Sequence, residues 1–297
     1  MPAFFLSGEG IESYTLILWA LSIFLLGLPH GASDWLLYRS VFPRHSYREW
    51  AVFIGGYSLL AVLFAVFWWA APHYACFSFL CITAWHWGSG DSNDFQKKRF
   101  GWILASLSRG CILMLAPIVF HPAASQVFVE QLIGVFGNEA TIILPYKSGA
   151  LLLATSIFIE CTTWLWAIVN QQIKKRKAVQ HLFETFALLG LFYYLPPLLS
   201  VGIYFLWLHA LRHSLRLLER CSFNHARNVL INLSILHLRS FLFVAPVLLV
   251  LFVWFFAHPA FLYLNVKSIA EYLVVIAALT FPHAILITAL DLREAIE

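Results

Sequence analysis

Five of the twelve histidines in this 297-residue chain lie deep within apolar runs: His30, His86, His209, His213 and His283. Two belong to the stretch Trp207-Leu208-His209-Ala210-Leu211-Arg212-His213, where a spacing of four puts both rings on one helix face, one turn apart. Rings so placed can converge on one ion. Imidazole is a ligand for iron, copper, zinc or nickel, and residue types alone do not choose among them. An ionisable side chain inside a membrane span is expensive to keep and is a functional candidate by default. The competing account satisfies each ring with a backbone carbonyl or a neighbouring ring.

The elements that must position these rings are membrane helices. The chain is 61% hydrophobic and 11% charged, against about 25% charged in soluble domains. Several apolar runs exceed 18 residues, and they are continuous rather than alternating, which excludes a β-barrel. The pattern predicts an all-α polytopic membrane protein, a single integral-membrane domain over 1–297. Nine spans are expected, at about 14–35, 50–71, 73–90, 101–120, 148–170, 179–197, 198–218, 236–257 and 267–290. The sixth and seventh meet at Leu195-Pro196-Pro197-Leu198, where two prolines interrupt a helix. Met1 to Ser13 carries no Lys or Arg, so the first run lacks the basic segment of a signal peptide and is kept as a span.

Basic residues set the sidedness. Arg39, Arg44, Arg48, Lys97, Lys98, Arg99, the run Lys174 to Lys177, Arg216, Arg220, Arg227 and Arg293 share one side of an alternating chain. The other side holds Lys147 and Lys267 with Glu9, Glu12, Glu130 and Glu139. This places the amino terminus outside and the carboxyl terminus in the cytoplasm, with a multi-pass protein in the cell membrane. The net charge of +4 is therefore a topology signal, and no nucleic-acid partner is expected. Five cysteines with no CxxC pair exclude a disulfide framework or a zinc knuckle.

Depth separates the two accounts of the histidines. His30, His86, His209, His213 and His283 lie on spans that all run inward, 11 to 16 residues from their outer edges. At 1.5 Å per residue that is roughly 17–24 Å down a ~30 Å core. Unrelated structural histidines have no reason to share a level, whereas a common ion requires it. Asp34 follows His30 by four residues and Asp91 follows His86 by five, and Glu184 lies at nearly the same level. A carboxylate that accepts the second imidazole N–H fixes the tautomer of a ligand, so these three are expected in supporting roles. Arg109 and Arg212 are expected to pair with such acids rather than to act in catalysis. Glycines beside His30 and His86 allow close helix contact. Four neutral histidines on a six-coordinate divalent ion leave positions open for dioxygen, whereas a closed tetrahedral zinc would be structural.

Around these histidines the sequence resembles the Brp/Blh family of membrane β-carotene 15,15′-dioxygenases. The resemblance rests on GLPHGASDW (Gly27 to Trp35), HWGSGD (His86 to Asp91), HALRH (His209 to His213) and FPHAIL (Phe281 to Leu286), in that order. It implies a non-haem iron enzyme that cleaves β-carotene at its central double bond with dioxygen, giving two molecules of retinal. By motif, His30, His86, His209 and His213 would be both the catalytic residues and the ligands of Fe(2+), with His283 in a supporting or fifth-ligand role. The resemblance further implies membrane lipid as the substrate's reservoir and functional coupling to a retinal-binding rhodopsin. Trp85, Trp87, Tyr194, Tyr204 and Trp207 lie near the proposed level and are candidates to line a polyene tunnel, although packing and interfacial belts account for most membrane aromatics.

Three other classes fit parts of the pattern. A di-iron hydroxylase needs about eight histidines in boxes, and one HxxxH with three single histidines is too few. A b-type haem protein in electron transfer would also use histidines on facing helices. A histidine-relay transporter would use ionisable groups along a path. A retinal receptor is disfavoured because Lys267, at the outer edge of the last span, is too shallow for a Schiff base.

Overall fold

A computed structural model describes residues 27–41, 46–95, 99–137, 142–221, 228–257 and 266–294, with residues 15, 17–19 and 21. Proline sets many of its boundaries. A proline occupies the first turn of α1 (Leu28–Ala32), α4 (Pro72–Asp91), α6 (Pro122–Ile133) and α9 (Pro197–Ile203), where its missing N–H would have had no helical partner. The remaining helices are α2 (Asp34–Val41), α3 (Tyr47–Ala70), α5 (Arg99–Phe120), α7 (Tyr146–Val169), α8 (Lys175–Tyr194), α10 (Leu211–Arg220), α11 (Val229–Ala257) and α12 (Val266–Glu294). Ser46 starts α3 with a capping box: its hydroxyl accepts from the Glu49 N–H, and Glu49 accepts from the Ser46 N–H at 2.8 Å. No strand occurs among the described residues.

Four helices are long and apolar enough to cross a membrane: Tyr47–Ala70, Phe100–Phe120, Tyr146–Val169 and Lys267–Arg293. Val229–Phe241 and Phe243–Val253 make a fifth if their 62° bend is taken within one span. Within the first expected span, residues 14, 16, 20 and 22–26 lie outside the described residues. The segments expected as the third, sixth and seventh spans are helical but are not among these: the seventh is divided into pieces of seven, seven and ten residues, and the third and sixth carry polar and charged side chains that include His86, Asp91 and Glu184. The break expected at the proline pair is present, since α8 ends at Tyr194 and α9 begins at Pro197.

Three features depart from the expected pattern. The run 198–218 is not one uniform helix: α9 passes into a π-helical stretch, Tyr204–Ala210, before α10. Likewise α1 ends at Ser33, whose hydroxyl donates back to the Pro29 carbonyl at 2.7 Å, and α2 restarts at Asp34. Between the fourth and fifth expected spans lies an additional helix, α6. Its twelve residues extend about 18 Å, too short to cross a ~30 Å core, and bury Ser125, Val129, Leu132 and Ile133.

α5 lies at the centre, packed on α4 and α7, while α12 packs on α3, α4 and α6. The α4–α5 crossing is a contact of backbones. A Cβ on Gly88 would stand 1.9 Å from the Ser106 carbonyl oxygen, and one on Gly110 would stand 1.9 Å from that of Ala84. Gly31 and Gly90, expected to permit similar contacts, face open space. Gly88→Ala should therefore force the helices apart and destabilise the detergent-solubilised protein by about 1–3 kcal/mol. Gly90→Ala should leave stability unchanged or raise it by up to ~1 kcal/mol, and thermal unfolding of the two variants makes the comparison.

Candidate metal centre

Each of the five deep histidines is set by a local irregularity or a helix end. His30 follows Pro29 in the short α1, held where Ser33 hydrogen-bonds Ser240 of α11 at 2.7 Å. His86 lies in the last two turns of α4. His209 belongs to the π-helical stretch and His213 to α10, so the wider turn sets the angle between them. His283 follows Pro282 within α12.

All five are buried, and their rings converge. Neighbouring ring centres of His86, His209, His213 and His283 follow a closed circuit of 4.8, 6.5, 5.2 and 4.6 Å. His30 caps that circuit, 5.5 Å from His209, 5.5 Å from His213 and 5.4 Å from His283. His30, His86 and His209 each offer a nitrogen within 4.8 Å of the others, as do His213 and His283 together with a carboxylate oxygen of Asp34. Both ring nitrogens of His86, and Nε2 of His209, His213 and His283, are buried with no hydrogen-bond partner among the described residues. An orphaned buried polar atom costs about 1–3 kcal/mol, so several at one point fit a site built to receive a cation.

The acids behave differently from expectation. Asp34, expected to support His30, instead accepts from Nδ1 of His283, 2.8 Å from each carboxylate oxygen. It also accepts from the Tyr57 hydroxyl at 2.9 Å. With its proton on Nδ1, His283 keeps the lone pair of Nε2 free toward the cluster. Asp91 was expected to support His86 but accepts instead from Arg109 Nε at 2.9 Å, the Tyr204 hydroxyl at 3.1 Å and Arg212 Nη1 at 3.2 Å. Glu184 accepts from Arg109 at 2.6 Å and from Arg212 at 2.8 and 2.5 Å. The expected pairing of both arginines with acids is therefore present. Because Arg212 lies between His209 and His213, this network ties the histidine-bearing turn to α4, α5 and α8.

A second buried polar group gave no clear signal in the sequence. Glu160 of α7 bridges His181 Nε2 at 2.7 Å and the Ser108 hydroxyl at 2.5 Å, and the His181 ring stacks on Trp164 at 4.0 Å. His181 reads as interfacial from its place near the start of α8. The one available signal was Glu160, an acid within an apolar run.

Of the aromatics near the expected level, only Trp87 lines a cavity at the histidine cluster. Trp85 donates to Thr288 at 3.0 Å, and the Tyr204 hydroxyl is engaged by Asp91. Trp207 and Tyr194 are exposed on the outer surface.

The described residues are all-helical, and apolar helices long enough to cross a membrane surround five convergent imidazoles, which is the architecture of an integral-membrane protein with the donor set of a candidate metal site. Comparison with known proteins specifies the family. A family model described as beta-carotene 15,15'-dioxygenase matches residues 21–291, and the chain belongs to that family. It is 29% identical to the probable beta-carotene 15,15'-dioxygenase Blh of Halobacterium salinarum, covering 91% of this chain and 82% of that one. It is 27% identical to a beta-carotene 15,15'-dioxygenase from uncultured marine bacterium 66A03, covering 90% of each. No solved structure matches.

The arginine–carboxylate network is testable apart from any activity. Arg109 is fully buried, and Arg109→Leu would leave the buried Asp91 carboxylate with only one of its two cations. Loss of one partner from a buried pair costs about 3–5 kcal/mol. Equilibrium unfolding in detergent should show a destabilisation of that order.

Proposed function

We propose that this protein cleaves β-carotene at its central 15,15′ double bond with dioxygen, giving two molecules of retinal, and that it does so at a non-haem Fe(2+) site. The observation that supports this most directly is the convergence of five buried imidazoles from four separate stretches of chain, several with a nitrogen that has no hydrogen-bond partner among the described residues. Family membership supplies the reaction. His30, His86, His209 and His213 are the proposed ligands, and His283, whose ring centre lies 4.6 Å from that of His86 and 5.2 Å from that of His213, is the proposed fifth. The rings approach from all around with centres 4.6–6.5 Å apart, which favours a bare ion over a flat macrocycle between two axial ligands.

When bound, ferrous iron supplies the redox chemistry that turns one carbon–carbon double bond and one dioxygen into two aldehydes. The chain's own residues do the rest. Asp34 holds the proton on Nδ1 of His283, and Tyr57 holds the Asp34 carboxylate in turn. Arg212, anchored on Asp91 and Glu184, sets the rotation of the turn carrying His209 and His213. Apolar side chains such as Phe205, Trp87 and Ile276 border the cluster and exclude water from it. β-Carotene resides in the bilayer, so a site among membrane helices meets it without transfer through water. The orientation proposed, from the basic residues, has the amino terminus outside and the cluster in the cytoplasmic half of the cell membrane.

Expression in β-carotene-accumulating bacterial cells should bleach them and yield retinal on chromatography, and purified protein should carry close to one iron per chain. His30→Ala, His86→Ala, His209→Ala and His213→Ala should each abolish retinal formation while the protein stays in the membrane. Full activity in any one of them removes that residue from the ligand set. Asp34→Asn should weaken iron binding about 10–100-fold, read by metal analysis after graded chelation.

A further inference from the structure

Two apolar cavities meet at the histidine cluster. One, of about 310 Å³, lies among α1, α3, α11 and α12 and is bordered by residues including Gly31, Phe53, Ser58 and Val247. The other, of about 130 Å³, lies among α4, α5, α6, α9 and α12 and is bordered by residues including Phe79, Met114, Val129 and Leu198. They share four lining residues, His30, His283, Ile276 and Thr280. Asp34 and Tyr57 border only the first, and His86 and His209 border only the second. The cluster is therefore the wall at which two arms on opposite sides of it join.

The second arm has a readable length. Along α12 it runs from His283 back to Leu273, and along α4 from His86 back to Phe79. Ten residues of helix span about 15 Å and seven about 10 Å. Proline opens the walls of both arms: Pro246 of α11 borders the first and Pro117 of α5 the second, each inside its helix. The first arm also reaches the outer surface. Trp35, Ile54 and Phe243 border both this arm and a shallow adjoining hollow, whose edge includes the exposed Leu238. That mouth lies at the seam between α3 and α11, among side chains that face the hydrocarbon in the proposed orientation.

We infer that the two cavities are the two arms of one channel, entered from the bilayer through the α3–α11 seam, and that β-carotene lies across the cluster with one end ring in each arm. This rests on the proposed reaction and adds what selects the bond. The successive double bonds of a polyene are chemically near-equivalent, so a reacting centre distinguishes them only by position. Seating both ends makes the middle of the molecule the part held against the histidines. A ligand occupying one arm alone would leave its register free to slide.

The test measures binding of β-carotene to metal-free protein by visible absorbance, and separately the products of the iron-loaded protein. Ser58→Trp and Gly31→Phe fill the first arm, the latter from a position where a Cβ meets nothing within 4 Å. Val129→Phe fills the second, and Gly31→Ala and Val129→Ala are the size controls. Each filler should lower β-carotene binding at least tenfold. A ring-ended apocarotenal that lacks the second ring should still bind within threefold of wild type in every one, because its truncated end fits the narrowed arm. Unchanged β-carotene binding in the fillers of either arm, or equal loss of both ligands, overturns the channel. If wild-type protein binds β-carotene with this pattern but the iron-loaded form releases no retinal, the proposed reaction fails and the channel stands. If retinal is made and the fillers leave its rate and the cleavage position unchanged, the reaction stands and the channel fails.

Discussion

Imidazoles brought together in an apolar interior, several with a ring nitrogen that no hydrogen bond among the described residues satisfies, are the constraint on which the rest of this structure depends. In hydrocarbon such a group has no water to fall back on, so rings at this density require an outside partner or a rearranged fold. The helices have yielded around that requirement. α1 stops after five residues, the α9–α10 run takes a π-helical turn, and α12 carries Pro282 beside His283. Each irregularity lies at or next to a histidine of the cluster. Helical irregularities of this kind recur at functional sites because they re-aim a side chain that a regular helix would point elsewhere.

Around the cluster the protein separates two kinds of polar chemistry. On one side Asp34 and Tyr57 form a short chain of hydrogen bonds onto His283, and this carboxylate touches the cluster directly. On the other, Asp91, Glu184, Arg109, Arg212 and Tyr204 satisfy one another and touch no cluster histidine by a hydrogen bond among those the structure shows. That second group acts as a brace, with the arginines neutralising the two acids so that neither carboxylate is drawn toward the cluster. A fully desolvated arginine between two carboxylates is tolerable only when every partner is in place. The brace therefore makes the orientation of α10 all-or-none rather than adjustable.

Much of this was legible because membrane burial leaves strong marks on a sequence. Uninterrupted apolar runs identified the helices, the Pro196-Pro197 pair marked a break, and the shared depth of five histidines singled out the residues that converge. Pairing of Arg109 and Arg212 with nearby acids followed from the expense of lone charges in a span. What was misread has a common cause. Asp34 and Asp91 were assigned to the histidines nearest in sequence, but each side chain answers to helices packed beside it, and no spacing along one helix reports that. α6 escaped notice because its polar residues, Gln126, Glu130 and Gln131, break any long apolar run, while its buried face is read only against α12. The aromatics near the cluster level were plausible tunnel walls, yet most turn elsewhere, since a helix fixes an aromatic's height but not the neighbour it faces.

The sequence by itself determined a helical membrane protein and a set of histidines at one level, because hydropathy and periodicity are local properties written residue by residue. It also determined, through its motifs, the family to which the chain belongs. The tertiary structure alone decided that Asp34 serves His283, because that contact joins residues 249 positions apart. It likewise decided that Asp91 serves the arginines, and that two cavities meet where the rings do. Those outcomes depend on the rotation of each helix about its axis and on its crossing with its neighbours, which only packing fixes.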